Sequence, residues 1–429
     1  MSASLLWAEG IPERWSLRRA KFLFRRQQRP LRSDDGVVTA FRDGQVTLRT
    51  KRREDGFTFA DKEIGYHGVR VGDLVIHAMD GFAGAIGVSD SDGKCSPVCA
   101  VCTPLSGAVE VRYYASVLRH LAVSGFISSL AKGIRERSTD FRFAEFKELA
   151  LPLPPKEDQK AIVSFLDHKT AAIDGLITKK ERLIELLQEK RQALITQAVT
   201  KGLDLNVPMR DSGVVWIGGV PQHWRVLPLR RVVAHQLAGP YGSSLTKAMY
   251  SSSGVRVYGQ QQVIPNDFAT GDYYISPEKF AEMREYEVHP GDLLVTVMGT
   301  IGRVAVVPQG IERGIMNPRL VRYVIGERQA SAHYVAWVLR SNVGISQLAE
   351  AAQGSTMDGL NLRIIGDVVL ALPPRAEQDE IVARIEAVDA WSKRLSGSVQ
   401  EQLERLREYR QALITAAVTG KFDVSKEAA

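Results

Sequence analysis

The chain contains two nearly identical fourteen-residue segments, and this repetition constrains its fold more than any other feature. RQALITQAVTKGLD ends at Asp204, and RQALITAAVTGKFD ends at Asp423, 219 positions later. Neither copy contains a His, Cys or Ser, so a shared nucleophile does not explain the duplication. The repetition instead indicates a chain built from two similar halves.

Further pairs of segments repeat at a similar spacing. WAEGIPERW, beginning at Trp7, matches WIGGVPQHW, beginning at Trp216, and VGDLVIHAM matches PGDLLVTVM. LPPKEDQKAIV likewise matches LPPRAEQDEIV. The framework is therefore shared, whereas the middle of each half differs.

Each half is predicted to contain a globular block followed by a long helix. Short apolar runs such as GVVTAF and GDLVIHAM are separated by Gly, Asp and Ser clusters, which favours strands and turns. SVLRHLAVSGFISSLAKGI and AHYVAWVLRSNVGISQLAEAAQG each predict one amphipathic helix. We therefore predict a multidomain α+β fold, with blocks at 1–150 and 207–370 and helical segments at 151–206 and 371–429.

The two helical segments begin after LPLPP and LALPP, because proline ends a strand and is tolerated in the first turn of a helix. Gly202 and Gly420 are expected to end them. About 45 residues of helix span roughly 65 Å, and a narrow apolar seam requires a partner helix. We predict an antiparallel pair that separates two blocks related by a pseudo-twofold axis. The predicted seam positions are Leu166, Thr170, Ile173, Ile177, Lys180, Ile184, Leu187, Arg191, Leu194 and Ala198, and Ile385, Asp389, Ser392, Ser396, Val399, Leu403, Leu406, Arg410, Leu413 and Ala417.

The composition favours a polyanionic partner and a reducing compartment. The chain has 56 Lys and Arg against 49 Asp and Glu, a net charge of +7. Three cysteines in 429 residues indicate a cytosolic setting, so we predict a cytoplasmic protein. There is neither a run of about eighteen apolar residues nor a signal-peptide pattern, so no membrane association is expected.

Three motifs suggest catalysis but fail on inspection. Cys95, Cys99 and Cys102 have the C-x3-C-x2-C spacing of an iron–sulfur motif, although buried structural cysteines are the alternative. DGFAGAI begins like a methyltransferase cofactor loop, but Ile86 replaces its last glycine. No N-P-P-[FYW] motif follows, since NPR at Asn317 does not fit, and no phosphate-binding G-x-x-x-x-G-K-[ST] loop occurs. We therefore predict a chain that is not itself an enzyme.

Taken together, the W-x-G-x-[IV]-P-x-x-W openings, the GDL segments, GAIG and GTIG, the LPLPP…Q helix starts and the RQALIT-AVT ends resemble the DNA-specificity subunit of type I restriction-modification enzymes. The resemblance covers almost the whole chain. It implies two target-recognition domains, each reading half of a bipartite sequence in double-stranded DNA, joined by two antiparallel helical spacers. It also implies docking of two modification subunits and, through them, restriction subunits.

The resemblance implies no cofactor bound by this chain. The complex is expected to use S-adenosylmethionine, and ATP with Mg for restriction. It further implies that polar residues of the helix starts and of the repeated segments lie where the other subunits dock. These candidates are Gln159, Arg191, Gln192, Gln378, Arg410 and Gln411.

Base contacts require side chains with paired donors or acceptors, such as Arg for guanine and Gln or Asn for adenine. In the first block RTKRRED supplies such a cluster after a strand, and a solvated hairpin is the alternative. In the second block the candidates lie in YGQQQVIPND and GSTMDGLNLR. The resemblance implies that the loop before the strand leading into each helical spacer approaches DNA. In the first block, this loop supplies three further candidates for DNA contact. The candidates are Arg49, Lys51, Arg52 and Arg53; Arg135, Arg137 and Thr139; Gln260, Gln261 and Gln262; and Ser355, Thr356 and Asn361.

Two other functional classes remain open at this level. The chain could be a DNA-binding scaffold without sequence preference, or a self-contained DNA-modifying enzyme. The divergence of the blocks beside the near-repetition of the helical spacers argues against a scaffold. A fused catalytic domain would require several hundred additional residues.

Overall fold

The computed structural model describes residues 11–52, 64–130, 141–299, 302–353 and 360–424. The chain divides into two compact units. The first combines Met1–Glu181 with Gln400–Ala429, and the second is Arg182–Val399. Each unit therefore contains one globular head together with part of both long helices.

The head of the first unit is a set of antiparallel sheets packed on short helices. Its strands are β1 (Ser16–Arg19), β2 (Phe24–Gln27), β3 (Val38–Ala40), β4 (Val46–Leu48), β5 (His67–Val69), β6 (Leu74–His77), β7 (Ile86–Val88), β8 (Gly93–Cys95), β9 (Cys99–Pro104) and β10 (Ala150–Leu153). Its helices are α1 (Val111–Val123), α2 (Phe126–Leu130) and α3 (Phe143–Phe146), and the long helix α4 (Lys156–Lys201) follows β10.

The second unit repeats this plan with additional strands. Its strands are β11 (Met209–Asp211), β12 (Gly219–Pro221), β13 (Arg225–Pro228), β14 (Val233–Ala238), β15 (Val255–Tyr258), β16 (Tyr274–Ile275), β17 (Leu293–Thr296), β18 (Val304–Val306), β19 (Gly314–Met316), β20 (Leu320–Ile325) and β21 (Val369–Leu372). Its helices are α5 (Gln260–Val263), α6 (Pro277–Glu282), α7 (Ala332–Arg340), α8 (Asn342–Gln353), α9 (Leu362–Gly366) and the long α10 (Arg375–Val418).

The two heads share their main sheet topology. The order β2-β9-β6-β7 in the first corresponds to β14-β20-β17-β18 in the second. The strand that leads into each long helix pairs with the strand that directly follows Trp15 or Trp224, β10 with β1 and β21 with β13. The second head adds a sheet in which β15 lies between β16 and β19, parallel to β19. The predicted α+β fold with two long helices is confirmed.

The prediction of a single amphipathic helix in the middle of each head was wrong. In the first head α1 ends before Gly125, which adopts a positive φ of 81° that favours glycine. In the second head α7 gives way to α8 at Ser341, whose hydroxyl accepts a hydrogen bond from the backbone N–H of Gly344 at 3.3 Å. A periodic apolar pattern does not reveal such a break, since both helices bury residues on the same core.

The C-terminal copy of the repeated segment completes the core of the first unit. Ala417 and Val418 are fully buried in a cluster that includes Trp15 and Tyr113. The Tyr113 hydroxyl donates to the carbonyl oxygen of Val418 at 3.0 Å. Gly420 follows in a left-handed conformation with a φ of 72°, and a Cβ there would lie 2.5 Å from a ring carbon of Pro12. The last helical turn of the chain is therefore part of the N-terminal head.

The first copy plays the same part in the second unit. Ala198 and Val199 are buried, and the Tyr334 hydroxyl donates to the carbonyl oxygen of Val199 at 3.1 Å. Gly202 ends α4 with a φ of 78°, and a Cβ there would lie 3.2 Å from the Trp224 ring. The predicted helix ends at Gly202 and Gly420 are confirmed. The duplication thus reproduces a core element of each unit.

The long helices are antiparallel within each unit. In the first unit, Arg410 donates to Asp174 at 2.8 Å and Lys180 donates to Gln402 at 2.6 Å. In the second unit, Arg191 Nε donates to Asp389 at 2.6 Å. Burial opposes ionisation of Asp389, but its hydrogen bonds to Lys393 and Arg191 outweigh this and lower its pKa. An ion pair therefore occupies the weakly apolar part of the predicted seam.

Most predicted seam positions that are apolar are buried, some between the long helices and others in the cores of the heads. Ile173, Leu187, Val399 and Leu403 are all buried. Leu194 was wrongly assigned to the seam, since 37% of it is exposed and the next residue, Ile195, is buried instead. In the described parts of the chain, none of the helices combines the length and apolar character needed to span a membrane.

Candidate nucleic-acid interface

The basic cluster after β4 forms contacts within its own head. Arg49 Nε donates to Thr39 at 3.0 Å, and Lys51 donates to the Ser91 hydroxyl at 2.8 Å. Arg52 donates to Asp43 at 3.0 Å, and its guanidinium lies 4.1 Å from the centre of the Phe41 ring. The structure thus holds these three side chains against the head, and their role in DNA binding stays a prediction. Arg53 lies outside the described residues.

The three glutamines of the second head begin helix α5, and they have different surroundings. The prediction that Gln262 contacts DNA was wrong, because this side chain is fully buried. Its amide oxygen accepts from the Gly259 backbone N–H at 2.7 Å, and its amide nitrogen donates to the Thr270 carbonyl at 2.8 Å. Gln261 is exposed.

Gln260 lies at the end of several strands. Its amide nitrogen donates to the Met298 carbonyl at 2.5 Å, and its amide oxygen accepts from Arg319 Nη1 at 3.3 Å. Asn317 accepts the Arg319 backbone N–H on its side-chain oxygen at 3.0 Å. These four residues (Gln260, Met298, Asn317 and Arg319) are called the β17 edge here. β15, β17 and β19 end there and β20 begins there.

An aromatic pair lies close to this edge. The rings of Tyr250 and Tyr273 have centroids 5.0 Å apart, and 43% of Tyr273 is exposed. Burial, and then Tyr273, raise the pKa of Tyr250, while the positive charge of Arg319 opposes the rise. An exposed tyrosine beside side chains with donors and acceptors is a candidate contact to the DNA backbone.

Sequence reasoning missed Arg319 and Asn317. The available signal is the tripeptide NPR, in which Asn and Pro favour a turn and place an Arg on it. Asn361 was predicted, but its side-chain oxygen accepts from the Ile364 backbone N–H at 3.0 Å and so caps α9. Arg135, Arg137, Thr139, Ser355 and Thr356 lie outside the described residues.

The first head has an equivalent edge where β6 ends. The backbone N–H of Phe141 donates to the Ala78 carbonyl oxygen at 3.0 Å. In the second head, the backbone N–H of Leu360 donates in the same way to the Val297 carbonyl oxygen at 3.0 Å. A cavity of about 350 Å³ lies there. Its lining includes Arg26, Met79 and Arg142, and we call these three residues the β6 edge. The two corresponding edges therefore share a methionine, Met79 in one and Met298 in the other, but their remaining side chains differ.

Two predicted docking residues are buried. Gln159 is fully buried, and its amide accepts from the Glu110 backbone N–H at 2.8 Å and donates to the Ala108 and Pro154 carbonyls at 2.9 Å. Gln378, also fully buried, bonds in the same way to Ser331, Gln329 and Pro373. The prediction of direct docking by these two glutamines was therefore wrong, because neither side chain reaches the surface and both join a helix start to its own head.

The role of this buried amide can be tested by stability. Gln159→Leu keeps the size of the side chain but leaves one N–H and two carbonyls without a partner, so the free energy of unfolding should fall by about 3 kcal/mol. Denaturant titration of the purified chain measures this loss. Gln188→Leu, at an exposed position of the same helix, should change it by less than about 0.5 kcal/mol. Equal effects of the two substitutions would contradict the structural role.

The repeated segments place an Arg and a Gln beside a cavity in each unit. In the first unit, Arg410 and Gln411 line a cavity of about 270 Å³ together with Arg119. Burial, and then the charge of Arg410, lower the pKa of Arg119 below its usual value. In the second unit, Arg191 and Gln192 line a cavity of about 710 Å³. These positions are open to a partner, unlike the two buried glutamines.

The cysteines are structural. All three are free and buried, and they lie on strands β8 and β9. Burial raises the pKa of Cys102 to about 12, and Cys99 together with burial raises that of Cys95. Within the described residues, no group of three or more His, Cys, Asp and Glu side chains is arranged to hold a metal.

The fold, with the β6 edge on one head and the β17 edge on the other, defines a class of protein with two similar heads and two long paired helices. No family model matches the chain. Curated proteins do match: the specificity subunits of the type I restriction enzymes EcoBI and EcoKI of Escherichia coli, at 25% and 23% identity over 64% and 82% of this chain. The putative MjaX specificity subunit of Methanocaldococcus jannaschii is 22% identical over 75% of the chain. These matches span 59%, 75% and 70% of the relatives' own lengths, respectively.

Solved structures agree in fold. A chain from a study of complex assembly and conformational transition of the type I R-M system has a TM-score of 0.73 at 15% identity, covering 96% of this chain and 99% of that one. The HsdS subunit of Thermoanaerobacter tengcongensis has a TM-score of 0.53 at 18% identity, covering 96% and 98%. The chain is thus similar to type I restriction enzyme specificity subunits over most of its length, and the resemblance stated from its sequence is confirmed. The prediction of a non-catalytic chain agrees with these relatives, which are all named as specificity subunits.

Proposed function

We propose that this chain is the non-catalytic DNA-specificity subunit of a type I restriction-modification enzyme and reads a bipartite sequence in double-stranded DNA. The observation that carries the proposal is that the two heads share a topology but present different side chains at corresponding edges. Two similar heads with different contact residues suit a target with two different half-sites. The net charge of +7 favours a phosphate backbone as partner.

Two modification subunits, and restriction subunits through them, are the proposed protein partners. Leu183, Leu186 and Leu194 lie on one face of α4 and are 37–45% exposed, which leaves an apolar surface for partner helices. Of the predicted docking residues, Arg191, Gln192, Arg410 and Gln411 remain candidates because they line accessible cavities.

The proposed division of labour leaves the chemistry to the partners. The modification subunits would use S-adenosylmethionine, and restriction would use ATP with Mg, while this chain binds none of them. The complex would act in the cytoplasm, where its DNA target is. The long paired helices would set the gap between the two half-sites.

The test is a base-resolution map of methylated adenines in a host that expresses this chain with its modification subunits. We expect one motif of two defined parts separated by a gap of unspecified bases. A host that lacks only this chain is the control and should lose the methylation. Methylation without sequence preference, or at an uninterrupted motif, would contradict the proposal.

A further inference from the structure

The Arg319 side chain extends from a tight turn. The Leu320 backbone N–H donates to the Asn317 carbonyl at 3.3 Å, which closes a β-turn over residues 317–320. Pro318 occupies the second position, where its fixed φ is favourable, and the Asn317 side chain accepts the Arg319 backbone N–H at 3.0 Å. A proline and an Asn side-chain bond together leave the backbone of Arg319 little freedom.

Neighbouring strands anchor this turn on both sides. The Arg319 carbonyl accepts from the Val297 backbone N–H at 3.0 Å, and the Leu320 carbonyl accepts from Gly239 at 2.9 Å. Val297 and Gly239 directly follow β17 and β14, the two strands that pair with β20 on either side. The turn is therefore held by the main sheet itself.

Two glycines allow this close packing. The Asn317 backbone N–H donates to the Tyr258 carbonyl at 2.8 Å. A Cβ on Gly239 would lie 2.2 Å from the Asn317 carbonyl oxygen, and one on Gly259 would lie 2.4 Å from the Asn317 side-chain nitrogen. A Cβ at Gly239 would therefore displace the backbone of the turn, and one at Gly259 would displace the Asn317 side chain.

The guanidinium itself is held by a neutral partner. Arg319 is exposed, and Nη1 donates to the amide oxygen of Gln260, which is fixed in turn by the Met298 carbonyl. Among the described residues, no carboxylate lies within 4.0 Å of Arg319. Other arginines of this unit do have such carboxylate partners, namely Arg230 with Asp367, Arg256 with Glu312, Arg313 with Glu287 and Arg322 with Asp292. Arg319 is thus oriented without being neutralised.

We propose that Arg319 determines specificity in the second head by reading a guanine, with Gln260 as its positioning residue. This rests on the proposed function. With Nη1 held by Gln260, Nε and Nη2 remain as two parallel donors, the arrangement that matches O6 and N7 of guanine in the major groove. A phosphate contact would need positive charge but not a fixed orientation, so the rigid turn favours base reading.

The experiment compares the methylation motifs produced by wild type, Arg319→Lys and Gln260→Ala in complexes with the modification subunits. Arg319→Lys keeps the charge but removes the paired donors. We expect one guanine position, in one half-site, to lose about tenfold to a hundredfold of its discrimination, while the other half-site stays unchanged. Gln260→Ala should relax the same position to a smaller extent.

Arg328→Ala is the matched control, since Arg328 is an exposed arginine just beyond the far end of β20. It should leave the motif unchanged. If the Arg319→Lys complex still methylates the complete wild-type motif, the inference is overturned and the proposed function is not. Uniformly weaker methylation at all sequences would also overturn the inference, because that result indicates a phosphate contact. A wild-type complex without a bipartite motif overturns the proposed function and this inference with it.

Discussion

An Ala417→Asp substitution is expected to destabilise the first unit strongly, although residue 417 lies near the opposite end of the chain from most of that unit. Ala417 is fully buried beside Trp15 and Tyr113, in the last turns of α10. A carboxylate there would be ionised only at a high desolvation cost and would also displace packed neighbours. We expect a loss of about 3–5 kcal/mol, a large part of the 5–15 kcal/mol that stabilises a typical domain.

Hydrogen exchange can locate this effect. Protection should fall in α1 of the first unit, whereas α7 of the second unit should keep its protection. Ala412→Asp is the control, because residue 412 lies on the same helix and is exposed, and it should change stability by less than about 0.5 kcal/mol. Equal loss of protection in α1 and α7, or none in α1, would show that the repeated segment does not complete the first unit.

A matched deletion in both long helices is expected to shorten the gap between the half-sites. Residues 182–188 and 391–397 lie between two contacts that the deletion preserves, Lys180 with Gln402 and Arg191 with Asp389. Seven helical residues correspond to about 10 Å, or roughly three base pairs. The map of methylated adenines should therefore show the same two half-sites with a gap shorter by about three base pairs.

The control is the same deletion in α4 alone. It leaves α4 and α10 with unequal lengths, so the ion pair of Arg191 with Asp389 and the contact of Lys180 with Gln402 cannot both form. We expect lower stability and weak methylation from this variant. An unchanged gap after the matched deletion would refute the role of the helices as a ruler. Altered bases in either half-site would show that the heads are not independent of the helices.

Much of the fold could be predicted from the sequence, but the candidate site could be predicted only in part. Gln260 was found because an amide is a recognisable base-contacting side chain, and its neighbour Gln262 was chosen by the same reasoning. The structure separates them, since Gln262 bonds to Gly259 and Thr270 inside the head. Arg319 was missed because its role depends on strands far apart in the sequence. A residue type indicates what a side chain can bind, but burial decides whether it is available.

The sequence by itself determined the two-fold repetition, the α+β character of the heads and the two long helices with their glycine ends. These features are visible because they depend on spacing and turn chemistry within short segments. Only the tertiary structure decided that the segment ending at Asp204 completes the second unit and that ending at Asp423 completes the first. It also decided that Gln159 and Gln378 are internal. The physical reason is that core packing and buried hydrogen bonds join residues that are distant in the chain, as Tyr113 joins Val418, and no local pattern records such partners.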